Sequence, residues 1–171
     1  MIREFKEQDL EKVANIWLIS NIDAHFFIPK DYWKGHFDEV KEMFLQAEIY
    51  VYEKDCEVQG FIGLNKEYIE GIFVSKEVQS KGIGKDLLNF VKERNEFLYL
   101  SVYQRNERAI HFYQREGFQI KCANIDEQTG EKEYEMIWYK NKGNKNNEMV
   151  RKDHYEYDRM WCRTARRKSS K

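Results

Sequence analysis

The chain has 171 residues and a formal net charge of −1, with 42% apolar, 35% charged and 15% aromatic residues. This length suits one ordinary domain, and so many apolar and aromatic side chains can fill a hydrophobic core, which excludes wholesale disorder. The apolar runs are too short to cross a bilayer, and the N-terminal residues contain no apolar signal region. We therefore expect a cytoplasmic chain with no membrane partner.

The two signs of charge are distributed unevenly along the chain. Residues 141–171 contain ten Lys or Arg and four Asp or Glu, a net charge of +6, so residues 1–140 carry −7. An acidic body attracts cationic small molecules and repels nucleic acid, whereas a basic tail does the reverse. We predict one domain over 1–140 and a basic C-terminal tail over 141–171, which is either flexible, helical or docked on the body.

The cysteine pattern argues against both a disulfide framework and a metal cluster. Three cysteines are present, an odd number, and they are far apart in the sequence: Cys56, Cys122 and Cys162. Disulfide scaffolds and metal sites have closer and more regular spacings. No metal site is predicted.

The first third of the chain predicts a strand, two helices and a hairpin. Residues 2–5 form a short strand, and Asp9 is the expected N-cap of a helix whose apolar residues recur at helical spacing. Pro29 marks a break, and Asp31 can cap a second helix. Two β-rich segments on either side of a short turn then predict an antiparallel hairpin: residues 48–53 and 58–64.

The remaining elements alternate between strands and helices. A strand is predicted over 68–74, followed by a helix that begins near Ile83. Another strand precedes a helix that Gly117 terminates, and a hairpin closes the domain. These last elements are predicted over residues 97–103, 106–116, 118–125 and 132–139. The order β-α-α-β-β-β-α-β-α-β-β, with both hairpin and crossover connections, indicates a mixed α/β domain.

The loop between strand 68–74 and the next helix has the features of a phosphate-binding turn. Gly82 and Gly84 allow the backbone to turn tightly and to approach a ligand without obstruction by a Cβ atom. The first amides of the helix have no intrahelical partner and lie at the positive end of its dipole. Lys81 and Lys85 add positive charge. A strand-to-helix turn that binds no ligand is the alternative interpretation.

The two common nucleotide-binding motifs do not fit this loop. A Walker A motif requires Gly at the position of Gln79 and Ser or Thr at the position of Asp86. The dinucleotide fingerprint requires a third Gly or Ala, and Leu87 stands at that position. The phosphate ligand is therefore expected to belong to another class.

Two segments in this region carry a family resemblance. After the strand ending in GIFV (71–74), residues 79–84 (QSKGIG) resemble the acetyl-CoA signature Q/R-x-x-G-x-G/A of the GCN5-related N-acetyltransferases. Residues 106–118 (NERAIHFYQREGF) resemble the second family motif, N-x-x-A-x-x-F-Y-x-x-x-G-F, and the element order agrees over 1–140. The resemblance implies acetyl-CoA as the acetyl donor, and a mostly antiparallel sheet whose central strands splay apart between flanking helices.

The resemblance also implies which residues bind the coenzyme. The backbone of 72–74 would pair with the pantetheine arm, residues 79–85 would surround the pyrophosphate, and Asn106 would face the coenzyme between the splayed strands. The predicted cofactor-binding residues are Ile72, Phe73, Val74, Gln79, Ser80, Lys81, Gly82, Ile83, Gly84, Lys85, Asn106, Ala109 and Phe112.

Acetyl transfer to an amine requires the acceptor to lose a proton and the departing thiolate to gain one. The resemblance implies that Tyr113 lies near the thioester sulfur, where a phenol can act as general acid, and that an amide near Val74 stabilises the carbonyl oxygen. Glu70, acting through water, and His25, in the segment that walls the acceptor pocket, are the candidate bases. The alternatives that remain open are core packing for Tyr113, an exposed position for Glu70, a surface position for His25 and deprotonation by bulk water.

The predicted function is transfer of an acetyl group from acetyl-CoA to a primary amine by direct attack. Aromatic side chains near the predicted pocket and the acidic body favour a cationic acceptor, either a small molecule or a peptide. The alternatives are a non-catalytic acyl-CoA-binding sensor or interaction module, and a nucleic-acid binder acting through the tail. Nucleic acid is not the expected partner, and a homodimer is left open as the assembly.

Overall fold

The structure is a computed structural model of the chain, and it describes residues 1–140. The predicted basic tail over 141–171 lies outside the described residues. Within the described part, none of the helices has both the length and the apolar character needed to span a membrane.

A seven-stranded sheet forms the centre of the molecule, with the strand order β1-β2-β3-β4-β5-β7-β6. Every neighbouring pair in this order is antiparallel except β4 and β5, which are parallel. The strands are β1 Ile2–Glu4, β2 Glu48–Lys54, β3 Glu57–Asn65, β4 Tyr68–Val74, β5 Phe97–Tyr103, β6 Gln119–Ile125 and β7 Lys132–Tyr139. The predicted mixed, mostly antiparallel sheet is confirmed.

Helices cover the sheet on both faces. They are α1 Leu10–Ala24, α2 Lys30–Gly35, α3 Phe37–Phe44, α4 Ile83–Arg94 and α5 Glu107–Arg115. Alternate side chains of a strand point to opposite faces, so β2 directs Ile49 and Val51 toward the core under α1–α3. Its intervening residues Tyr50 and Tyr52 pack against the core under α4 and α5. The sheet therefore separates two hydrophobic cores.

The chain start is held to the rest of the fold by a partly buried ion pair. The guanidinium of Arg3 donates to both carboxylate oxygens of Asp9, at 2.8 and 3.0 Å, and to Glu53 of β2 at 2.6 Å. Asp9 stands at the predicted N-cap position of α1, but its side chain makes no cap hydrogen bond. It accepts from the Lys6 amide instead, and the hydrogen bond from Arg3 is the main reason that the pKa of Asp9 is lowered.

The segment predicted as one helix after Pro29 consists of two helices. Helix α2 ends at Gly35, and the amide of His36 donates to the carbonyl of Trp33 in a tight turn before α3 begins. Glycine has a low helix propensity, which favours a break at this point. Pro29 occupies the N-cap of α2, and Asp31, the predicted cap, lies inside the helix.

Strands β4 and β5 separate soon after they begin. Their pairing includes only Tyr68 with Tyr99 and Ile69 with Leu100. Beyond these pairs β4 continues to pair with β3 as far as Val74, and β5 with β7 as far as Tyr103. The two central strands therefore diverge toward their C-terminal ends, as predicted, and leave a V-shaped gap in the sheet.

Candidate active site

The gap between β4 and β5 presents unpaired strand edges. From Gly71 onward, β4 has a paired neighbour on one side only, which is β3. Half of the amides and carbonyls of residues 71–74 therefore face the gap. An extended, amide-containing chain can pair with such an edge as another strand does. The predicted contribution of Ile72, Phe73 and Val74 through their backbone is compatible with this geometry.

The N-terminus of α4 lies next to the C-terminal end of β4, and its first backbone amides have no hydrogen-bond acceptor within the helix. Gly82 is its N-cap in the left-handed conformation, with φ +88°, and the amide of Asp86 donates to the Gly82 carbonyl at 2.9 Å. The preceding amides of the helix, including that of Ile83, have no acceptor within the helix. The side chain of Ile83 is buried in the core, so only its backbone can face a ligand. Lys81 and Lys85 are exposed nearby.

Hydrogen bonds from neighbouring elements fix the loop that leads into α4. Gln79 donates its Nε2 to the carbonyl of Val74 at 3.1 Å. Arg108 of α5 donates to Oε1 of Gln79 at 3.1 Å and to Oγ of Ser80 at 3.3 Å. Arg108 was not among the residues predicted for the site, although a basic residue in the first turn of the motif helix was the available signal. It adds a cation beside the predicted phosphate loop.

Asn106 joins α5 to the segment that follows α1. Its Oδ1 accepts the Ala109 amide at 3.2 Å and so caps α5, and its Nδ2 lies 3.2 Å from Nε2 of His25. The side-chain amide that was predicted to face the coenzyme is thus engaged by two protein groups. The structure brings together Asn106 and His25, which are 81 residues apart in sequence.

His25 lies in an aromatic cluster at the open end of the gap. Its ring stacks on Trp33 at a centroid distance of 5.3 Å and meets Phe27 and Tyr103 edge-on at 5.7 and 5.1 Å. Burial lowers the pKa of His25 to about 4. The imidazole is therefore neutral near pH 7 and weakly basic, which suits a positioning group better than a proton acceptor.

Tyr113 is buried between α5 and the sheet. Its ring packs against Phe112 and Phe118 at centroid distances of 5.2 and 5.5 Å. Burial raises the pKa of Tyr113 well above its usual value, with a smaller contribution from the nearby phenol of Tyr68. Tyr113 is therefore both a core aromatic and a phenol that stays protonated.

The closed end of the gap is marked by Tyr68, at the point where the central strands still pair. Burial raises its pKa to about 12, and its hydroxyl hydrogen-bonds with Ser101 of β5. The proximity of Tyr68 to Tyr113 depends on how the folded chain packs α5 against the sheet, so it was not predictable from sequence spacing.

Glu70 lies on the face of β4 opposite to Tyr113. It borders a cleft of about 550 Å³ between α3 and strands β2–β4, in the layer covered by α1–α3. Much of its side-chain surface is accessible, yet the surrounding walls desolvate the carboxylate enough to raise the pKa of Glu70. The two faces of the gap thus provide a protonated phenol and a carboxylate of raised basicity.

Comparison with known proteins identifies the family. Residues 46–120 match the family model described as an acetyltransferase (GNAT) domain. The chain is 37% identical over 130 residues to the peptidyl-lysine N-acetyltransferase YiaC of Escherichia coli K12, covering 74% of this chain and 89% of that protein. The chain belongs to the GNAT family of N-acetyltransferases. The predicted family is confirmed, and the enzyme is an acetyl-CoA-dependent N-acetyltransferase.

Solved structures show the same fold. The apo form of YjaB from Escherichia coli superposes with a TM-score of 0.73 at 22% identity, covering 81% of this chain and 96% of that one. The PaiA N-acetyltransferase of Thermoplasma acidophilum, solved with coenzyme A, has a TM-score of 0.69 at 20% identity, with coverages of 82% and 98%. Acetyl-CoA is the acetyl donor of this GNAT enzyme, as predicted. The open edge of β4 and the free amides at α4 fit a pantetheine arm and a pyrophosphate.

Proposed function

We propose that this enzyme acetylates the side-chain amine of lysine in a protein or peptide, by direct attack of the amine on acetyl-CoA. The lysine acceptor is supported by the similarity to YiaC, which is named a peptidyl-lysine N-acetyltransferase. It is also supported by the charge of −7 on residues 1–140, which attracts a cationic acceptor. Acetyl-CoA supplies an activated thioester, and the residues of the chain supply the proton transfers and the positioning.

Glu70 is the proposed base. The lysine side chain reaches the site as an ammonium and must lose a proton before it can attack. Partial desolvation by the surrounding walls raises the pKa of Glu70, so its carboxylate accepts a proton, directly or through water, more readily than a fully solvated one does. The pKa of His25 is about 4, so its imidazole is a weaker base than the carboxylate of Glu70. We therefore assign His25, together with Asn106, to positioning the segment after α1.

Tyr113 is the proposed acid. A free thiol has a pKa of about 8.5, and the pKa of Tyr113 lies above its usual value of about 10, so complete proton transfer from Tyr113 to a thiolate is uphill. Its phenol therefore acts first as a hydrogen-bond donor to the sulfur as negative charge develops there. Amides of β4 that face the gap, near Val74, are the proposed donors to the carbonyl oxygen.

The observation that carries this proposal is the burial of the Tyr113 phenol near Tyr68, the residue at the closed end of the gap that also raises the pKa of Tyr113. We predict that Tyr113→Phe lowers kcat for a lysine peptide about a hundredfold while the Kd for acetyl-CoA stays unchanged, because only a transition-state contact is lost. Free-thiol release and calorimetry measure the two quantities. Tyr52→Phe, a half-buried tyrosine of β2 on the same face, is the matched control and keeps the activity of the wild type.

Two results would contradict the proposal. An unchanged kcat in Tyr113→Phe removes the acid role of this residue. Acetylation of polyamines or aminoglycosides, together with no acetylation of any lysine peptide, removes the lysine acceptor and leaves the N-acetyltransferase activity intact.

A further inference from the structure

The cleft that Glu70 borders extends well beyond that residue. Its walls are mostly apolar and aromatic, with Trp17 from α1, Phe44 from α3, and Phe61 and Phe73 from the sheet. Its volume of about 550 Å³ lies in the range of ligand-binding pockets and exceeds what a lysine side chain alone occupies. None of the roles proposed above uses these walls.

One side of the cleft is formed by residues of β4 that lie beyond its pairing with β5. The ring of Phe73 stacks on Phe61 at a centroid distance of 4.9 Å and covers the backbone of Gly71, where a Cβ atom would lie 2.4 Å from the ring. Glu70 and Phe73 therefore form one side of the cleft and also border the gap. A group bound in the cleft lies next to an amine that approaches Glu70.

We propose that the cleft binds an apolar side chain adjacent in sequence to the acceptor lysine, and so determines which lysines are acetylated. This inference rests on the proposed function, because it concerns a peptide acceptor. Burial of an aromatic or branched aliphatic side chain against the exposed parts of Met43 and Phe44 removes apolar surface from water on both partners, and the already buried Trp17 and Phe61 complete the apolar walls.

The charges around the cleft select the same kind of peptide. Glu48 and Glu70 contribute two carboxylates against the single ammonium of Lys66. This excess of negative charge attracts the lysine ammonium and repels acidic residues beside it. The expected acceptor sequence therefore has an apolar residue, and no acidic one, next to the lysine.

A peptide series tests this directly. Each peptide has one lysine in a Gly/Ser background, with either Phe or Ala at one flanking position, and kcat/KM is measured by free-thiol release. We expect kcat/KM to be about tenfold higher for Phe than for Ala at one or two positions, and lower for Asp.

A variant that reduces the cleft provides the second measurement. A Cβ atom at Gly63 would lie 3.8 Å from Cβ of Glu70 and 4.0 Å from Cγ1 of Ile49, which are ordinary contacts. Gly63→Ala therefore adds a methyl group beside the cleft without strain. We expect the Phe/Ala preference to fall toward about one. Gly35→Ala, where the added Cβ has no neighbour within 4 Å, is the matched control and keeps the preference.

The outcomes separate this inference from the proposed function. Acetylation of all peptides with equal kcat/KM, or an equal loss for Phe and Ala peptides in Gly63→Ala, overturns the cleft as a specificity site and leaves lysine acetylation standing. Acetylation of small amines but of no peptide overturns both.

Discussion

Burial holds three titratable groups near the gap in their neutral forms. It raises the pKa values of Tyr113 and Tyr68 and lowers that of His25. Desolvation disfavours the charged form of any group, so phenols and imidazole shift in opposite directions for the same reason. The neutral imidazole accepts one hydrogen bond at Nε2 from the side-chain amide of Asn106, and it carries no charge that requires solvation. This arrangement lowers the free energy of unfolding at low pH, because the buried imidazole must then bind a proton.

The pH dependence of stability therefore reports on His25. In the unfolded chain His25 binds a proton near its ordinary pKa of 6.5, but in the folded protein only near 4. The unfolded state thus gains protons first, and the free energy of unfolding falls as the pH decreases from about 6.5 to about 4, by at most roughly 3 kcal/mol from this residue. We expect His25→Phe to be free of this component, and urea unfolding at several pH values measures the difference. Identical pH profiles for the two proteins would show that the imidazole is not desolvated.

The elements themselves were predicted better than their contacts. The bounds of β4, β5 and β7 agree with the sequence prediction because β-branched and aromatic runs and flanking turn residues are local signals. The break between α2 and α3 was missed since a single glycine is a weak signal. The contact of Asn106 with His25 and the cleft beneath α3 were also missed, because each depends on residues that only the folded chain brings together. Sequence motifs predict the coenzyme loop, whereas a proposal for the acceptor side requires the structure.

At the N-terminus of α4, one residue, Gly82, has an unusual backbone conformation and is also a proposed coenzyme-binding residue. Gly82 has φ +88°, a conformation that costs an L-residue about 1–2 kcal/mol. We expect Gly82→Ala to lower the free energy of unfolding by about 1 kcal/mol and also to weaken acetyl-CoA binding, because the amides of the helix start shift. Denaturant unfolding and calorimetry measure the two effects.

Gly130 is the matched control for this variant. It has φ +73° in the turn between β6 and β7, and an added Cβ would have no neighbour within 4 Å. Gly130→Ala should lose a similar amount of stability and keep the affinity for acetyl-CoA. Equal losses of affinity in the two variants would show that α4 has no particular role in binding the coenzyme.

On the scale of the whole molecule, the sheet has two halves joined by a short parallel contact. Strands β1–β4 form one half and β5–β7 the other, and the pairs at Tyr68 and Ile69 connect them. The hydrophobic core under α4 and α5 adds to this connection, because it contains buried residues of both halves, such as Ile62 of β3 and Leu98 of β5. Acetyl-CoA bound in the proposed position, along β4 and at α4, would fill the side where the halves diverge.

We predict that acetyl-CoA slows hydrogen exchange mainly at the gap. The amides of β4 that face β5, within 71–74, and those at the start of α4 should become protected, while the β2–β3 hairpin exchanges as before. Ligand binding to the native state alone also stabilises it globally, by about 2.7 kcal/mol at a hundredfold excess over Kd. Comparison at matched global stability, reached with a low concentration of denaturant, isolates the local protection. Uniform protection of all strands would argue against binding in the gap.

The ring of Phe73, which covers Gly71, restricts the substitutions that this enzyme can accept at position 71 during evolution. Any side chain at position 71 would collide with the ring of Phe73, which rests on Phe61. To make room, that ring would have to swing toward the cleft and narrow it. Positions 71 and 73 are thus expected to diverge as a pair, and a lineage that exchanges both at once would acquire a differently shaped acceptor pocket on an unaltered scaffold.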